Sequence, residues 1–178
     1  MNKREFDALI DFELFDGDIK SASFIRRLRI KHFSPPTNFV YLCRKMWFYH
    51  SKQKHLLAKY YYLRIYHKYS CCVFPDALIG KGLKVFHPLG IVIGHCIAGE
   101  NLSVLQGVTI GEKNIGEYKR DNICPHIGDN VTLGANSCIL GGVTIVNNIE
   151  IGENSVVIND LTSPGTYVGA PAKSIKGI

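Results

Sequence analysis

A six-residue period runs through the second half of this 178-residue chain. Stepping by six from Ile127 meets Leu133, Ile139, Ile145, Ile151 and Val157, each a branched aliphatic. Four residues after each stand Val131, Ser137, Val143, Ile149, Ser155 and Leu161, all small or aliphatic. A helix buries apolar residues at a period of about 3.6 and a half-buried strand at about 2. A strict six over this length suits neither. It suits a parallel β-helix of triangular section, in which each hexapeptide makes one short strand and one tight turn. The aliphatic points inward and stacks on its equivalent in the next coil. Glycine, Asn and Asp, as in Gly128-Asp129-Asn130, take the left-handed backbone that a corner demands. The same phase appears upstream at Ile79, Val85 and Ile91, then after a one-residue slip at Ala98, Val104 and Ile110. It breaks between Ile110 and Ile127. There the polar, charge-rich stretch 111–126 reads as a loop extruded from a coil.

Charge and aromatic content divide the chain at the same place as the period. Residues 1–70 hold 14 Lys/Arg and 6 Asp/Glu, whereas residues 71–178 hold 7 and 9. Two regions follow: a basic, aromatic-rich helical segment over 1–72 and the β-helix over 73–178. In the first, a short helix is expected around Phe6–Leu14, broken near Gly17. Ser34-Pro35-Pro36 stops any preceding helix, and Thr37 can cap the next. From Thr37 to Tyr69 there are seven Lys/Arg, ten aromatics and no acid, which predicts one or two helices with a break near His50–Ser51. Such a segment caps the open end of a solenoid or packs on a sister subunit. No nucleic-acid motif accompanies the charge, so nucleic acid is not an expected partner. Peripheral contact with an anionic membrane is a further expectation. No run approaches the roughly 20 apolar residues of a transmembrane helix, and residues 1–10 lack a secretory apolar core. The six cysteines show no C-x-x-C or finger spacing, so reduced thiols in a cytoplasm are the expectation, with the inner face of the membrane an option that the basic segment leaves open.

Four stretches carry a resemblance. They are Ile79-Gly80-Lys81-Gly82, Gly90-Ile91-Val92-Ile93-Gly94, the run from Leu102 to Gly111 (LSVLQGVTIG), and the run from Pro164 to Lys173 (PGTYVGAPAK). Over about the last hundred residues the chain resembles the hexapeptide-repeat acyltransferases with a left-handed parallel β-helix. Within them it is most similar to the serine acetyltransferases and their relatives that acetylate sugars in polysaccharide assembly. The resemblance implies a left-handed coil, a homotrimer, and acetyl-CoA as acyl donor along a groove between neighbouring β-helices.

Acyl transfer to an alcohol calls for a general base, and histidine has a suitable pKa. His87, just before Pro88 at a coil corner, matches the family's catalytic histidine. His126 is a second catalytic or acceptor-binding candidate, against the simpler reading that it ends the loop. His95 reads as structural or close to the acyl donor. For CoA the candidates are Thr109, Gly111, Gly134, Ala135 and Gly152, small residues that let a pantetheine arm approach, with Lys173 for a phosphate. Each glycine is equally readable as a corner residue. No metal site is expected, because the histidine spacing differs from that of the zinc-binding relatives.

The departures from the serine acetyltransferases weigh on the acceptor. The resemblance places an aspartate before the catalytic histidine, and here that position is Phe86. It places an arginine and a histidine in the extruded loop, where this chain has Ile123 and Cys124. Phe86 and Cys124 are therefore the expected acceptor-lining residues. A free amino acid needs a cation for its carboxylate, whereas a sugar takes an aromatic face. The leading expectation is thus an O-acetyltransferase acting on a sugar hydroxyl of capsule, lipopolysaccharide or exopolysaccharide, with a glycan as partner. Serine O-acetyltransferase in cysteine biosynthesis is the alternative. A non-catalytic trimeric scaffold for glycan assembly is a third reading.

Overall fold

The structure, a computed structural model, describes residues 1–15, 33–112 and 124–175. The break expected near Gly17 and most of the expected loop lie outside the described residues. Three helices precede the strands: α1 (Lys3–Phe15), α2 (Pro35–Ser51) and α3 (His55–Tyr69). Helix α2 starts at Pro35 rather than after Thr37. Proline lacks only an N–H that the first turn leaves unpaired anyway, so Pro35 and Pro36 open the helix instead of preceding it. The Thr37 hydroxyl donates to the Ser34 carbonyl (3.2 Å).

The chain then winds into a parallel β-solenoid. Strands β1 (Cys72–Val73), β2 (Leu78–Ile79) and β3 (Lys84–Val85) form the three faces of the first coil. Strands β4 (Val92–Ile93), β5 (Ile97–Ala98) and β6 (Ser103–Val104) form the second, and β7 (Thr109–Gly111), β8 (His126–Ile127) and β9 (Thr132–Leu133) the third. Strands β10 (Cys138–Leu140), β11 (Thr144–Ile145) and β12 (Ile149–Ile151) complete a fourth. The last coil holds β13 (Val156–Val157) and β14 (Gly165–Val168), with Leu161 bridging to Ile145 between them. Strand β15 (Lys173–Ile175) folds back antiparallel on β14 and closes that end.

Register puts the six-residue aliphatics on top of one another. On the first face Val73, Ile93, Ile110, Ile139 and Val157 stack in order. On the second, Ile79, Ala98, Ile127 and Ile145 do so. On the third, Val85, Val104, Leu133, Ile151 and Tyr167 do so. All but Ile79 are buried, and together they are the core of the solenoid. The corners between the second and third faces carry a ladder of asparagines. Asn101, Asn130 and Asn148 have φ of 58°, 55° and 60°, a left-handed backbone that Asn tolerates better than most residues. The Asn101 amide donates to Asn130 Oδ1 (2.9 Å) and the Asn130 amide to Asn148 Oδ1 (3.1 Å).

The upstream slip falls elsewhere than the spacing predicts. Val73 pairs with Ile93, not Ile91, although both isoleucines are fully buried. The extra residues sit in the corner between Val85 and Ile93. There the Leu89 amide donates to the His87 carbonyl (2.8 Å) and Gly90 turns at φ 64°. This widened corner carries Phe86 and His87, both exposed.

The helices close the other end through one buried ion pair. Arg44 on α2 gives two hydrogen bonds to Glu13 on α1 (2.9 and 2.6 Å). The same guanidinium donates to the carbonyls of Ile79 (2.7 Å) and Gly80 (2.5 Å). Glu13 Oε1 in turn accepts from the amides of Gly82 (2.8 Å) and Leu83 (3.0 Å). The Arg44 and Glu13 side chains are 6% and 0% exposed. Removing one partner strands a buried charge, which typically costs about 3–5 kcal/mol. Arg44→Ala should therefore lower the urea midpoint strongly, while Lys81→Ala, which loses only an exposed pair with Glu100 worth about 0–1 kcal/mol, should shift it little.

Candidate functional site

The candidate residues fall on two corners of the triangular section. Phe86 and His87 lie between β3 and β4, at the corner joining the third face to the first. Gly134 and Ala135 follow β9 and Gly152 follows β12, so they occupy the same corner in later coils. Gly111 ends β7 and Cys124 precedes β8, at the corner joining the first face to the second. The pairing of Ile97 with His126 places His95 beside this second corner, one coil below Cys124. Thr109 lies on the first face between the two corners, and Lys173 is exposed on β15 at the far end.

A cleft of about 590 Å³ runs along the second corner. Phe74, Asp76, His95, Thr109, Gly111 and Glu112 are among the residues that line it. Its wall is tied to the helical cap. Trp47 Nε1 donates to the Phe74 carbonyl (3.1 Å), and His50 Nε2 lies 3.0 Å from Asp76 Oδ1. Phe74, Asp76 and Glu112 were not among the expected site residues. They share no motif with the expected ones and are brought together only by stacking coils that are distant in sequence.

The glycines separate by what surrounds them. A Cβ on Gly134 would stand 2.6 Å from the Ile151 carbonyl oxygen, and one on Gly152 would stand 2.6 Å from Val168 Cγ1. The next coil accounts for both. A Cβ on Gly111 would meet nothing within 4 Å, so its bareness leaves open space at the cleft. Thr109 is half-buried beside it.

Cys124 is 6% exposed, and its Sγ lies 3.8 Å from His126 Nε2. Burial pushes the thiol up from its ordinary value, which keeps it protonated at neutral pH and makes it a wall rather than a nucleophile. His126 is exposed on the second face, where it lines a separate hollow with Thr144, Asn147 and Pro164. Within one chain the first face lies between His87 and the Cys124–His126 pair.

No protein-family model matches the chain. It is 44% identical over 105 residues to a serine acetyltransferase of Staphylococcus epidermidis, a match covering 58% of this chain and 48% of that protein. The chain thus spans about half the length of the curated relatives it matches. Among solved structures, the serine acetyltransferase of Neisseria gonorrhoeae superposes with a TM-score of 0.81 at 28% identity, over 98% of this chain and 67% of that one. The same protein in complex with serine superposes with a TM-score of 0.79 at 29% identity, over 96% and 69%. These likenesses overturn the expectation of a sugar hydroxyl in polysaccharide assembly and of a glycan partner. They back the alternative acceptor instead. The sugar reading rested on three absent side chains at 86, 123 and 124. Position 123 lies outside the described residues, and backbone amides or a second copy can supply carboxylate donors that side chains at those positions do not.

The contrast between the glycines is testable in the folded protein. Gly134→Ala should lower the thermal midpoint, because an overpacked contact costs roughly 1–3 kcal/mol of stability. Gly111→Ala should leave it within error. Calorimetry on both variants decides, and equal losses would remove the distinction.

Proposed function

We propose that this solenoid of the hexapeptide-repeat acyltransferase family is an acetyl-CoA-dependent O-acetyltransferase whose acceptor is the hydroxyl of L-serine. The observation that carries this reading is the 44% identity to a serine acetyltransferase over 105 residues, in a chain that sets an exposed histidine on a widened solenoid corner. His87 is the general base. It takes the serine hydroxyl proton as the oxygen attacks the thioester carbonyl, and returns a proton to the departing thiolate as the tetrahedral intermediate collapses. The acceptor oxygen gains the acetyl group, and the C–S bond of the donor breaks.

The donor arm fits the cleft beside Thr109 and Gly111, where a missing Cβ leaves room. Ala135, Gly134 and Gly152 line the corner above His87 and give a smooth wall rather than specific contacts. Lys173 is available to a phosphate at the far end.

A homotrimer belongs to this reading. His87 occupies one corner of the section and the Cys124–His126 pair another. Packing three solenoids side by side sets the first corner of one copy against the second corner of its neighbour. Phe86 and Cys124 then face the acceptor from two copies, with His126 at the edge.

The test is thiol release from acetyl-CoA with L-serine in millimolar excess. The wild type should turn over, and His87→Ala should lose about 10²–10⁴-fold in kcat, the usual worth of a general base, with acetyl-CoA affinity retained. Donor affinity without serine turnover in the wild type would refute serine as acceptor. Turnover undiminished in His87→Ala would refute the assignment of the base.

A further inference from the structure

Helix α3 is apolar on two opposite sides. Ala58, Ile65 and Tyr69 are buried against the rest of the protein. At 3.6 residues per turn, the line directly opposite runs through Leu56, Tyr60, Leu63 and His67. That line faces outward: Leu56 is 87% exposed, Tyr60 49% and Leu63 40%. Leu57 and Tyr66 are exposed as well, further round the helix among the flanking cations. Exposed cations flank it on both sides, Lys59 on one and Arg64 on the other, and Lys68 lies further round with its ammonium on Asn38 Oδ1 (2.8 Å). Lys52 and Lys54 continue the charge at the turn from α2. From Thr37 to Tyr69 there is no acidic residue to offset them.

We propose that this outer face of α3 docks on an anionic phospholipid surface, with the Leu56–Leu63 line in the headgroup–acyl boundary and the flanking cations on lipid phosphates. The catalytic reading neither requires this contact nor supplies it. Interfacial helices are built this way, with an apolar line, basic flanks and tyrosines at headgroup level. None of the described helices is long and apolar enough to cross a membrane, so the contact is peripheral. Tyr60, Leu63, Arg64, His67 and Lys68 also frame a hollow of about 380 Å³. The Arg64 guanidinium is held over it by a hydrogen bond to the Tyr60 hydroxyl (3.0 Å). A headgroup phosphate suits that hollow in charge.

Charge decides against a like-face pair of copies and against a nucleic acid. A second copy docked through the same face would bring basic flank against basic flank, which repel. A nucleic acid would engage the cations and leave Leu56, Leu57 and Leu63 in water. A lipid surface satisfies both sets of side chains.

The experiment is cosedimentation of the full chain with vesicles of phosphatidylcholine, alone or with about 30 mol % phosphatidylglycerol. Binding is expected only to the anionic vesicles, falling at least about tenfold between about 0.05 and about 0.5 M salt. Lys59→Glu with Arg64→Glu should weaken it by at least about 25-fold, at roughly fivefold per lost cation. Leu56→Ser with Leu63→Ser should weaken it by about tenfold or more. Circular dichroism melts matching the wild type confirm that both variants fold. No binding to either vesicle overturns the proposal, as does binding that the folded leucine variant retains in full. Two further outcomes overturn it in favour of another occupant. One is a larger species in light scattering that the leucine variant dissolves without any lipid binding. The other is retention of an oligonucleotide in place of vesicles.

Discussion

A solenoid of this kind depends on closing every coil at corners where the backbone turns through positive φ. Asn101, Asn130 and Asn148 meet that demand on one edge, and their side chains pass hydrogen bonds from coil to coil. The corner therefore does two tasks at once. It turns the chain, and it pins the register that sets Ile127 on Ile145 and Leu133 on Ile151. Once register is pinned, the inward aliphatics must stack, because a one-residue slip would turn them outward. Regularity at these edges is also what lets irregularity elsewhere be informative. The two places where the repeat fails, the corner at His87 and the stretch after Gly111, are the two places where candidate chemistry gathers.

A stack of coils has open ends, and the first coil is closed by charge as well as by apolar contact. The Glu13–Arg44 pair ties two helices to the carbonyls of Ile79 and Gly80 and to the amides of Gly82 and Leu83. These are backbone groups that a preceding coil would otherwise have paired. The helical segment is thus joined to the solenoid by hydrogen bonds that stand in for a missing coil. The same segment reaches the cleft through Trp47 and His50. Cap and cleft are mechanically one unit.

Much of this was legible in the chain. Period six named most of the residues stacked on the three faces, though not Val73, Ile93 or Tyr167, since each strand turns one apolar side chain inward. The helical break at His50–Ser51 was legible from composition. Less legible was the corner at His87, because Ile91 and Ile93 are equally aliphatic and only strand pairing chooses between them. The opening of α2 at Pro35 was missed because a proline pair was read as a stop, when proline also starts helices. The cleft was invisible for a topological reason. Phe74, His95, Thr109 and Glu112 come from three coils, and no local pattern binds them. The acceptor was misjudged for a chemical one. Absent side chains at three positions say that one particular clamp is missing, which is weaker than saying that no clamp exists.

The division of the candidate groups between two corners has a consequence for how such a protein can vary. Each corner is held by its own neighbours in the stack, so a change at Phe86 need not disturb Cys124, and neither disturbs the aliphatic core between them. Gly134 and Gly152 are the exceptions, since the adjoining coil leaves no space for a side chain. Side chains on the widened corner or beside the loop are therefore free to change while the coil that carries His87 and the open space at Gly111 stay in place. This freedom reconciles close likeness to serine acetyltransferases along the solenoid with different residues at 86 and 124. On the proposed function, the frame for base and donor is set by coil geometry, and the acceptor contacts are added to it from outside.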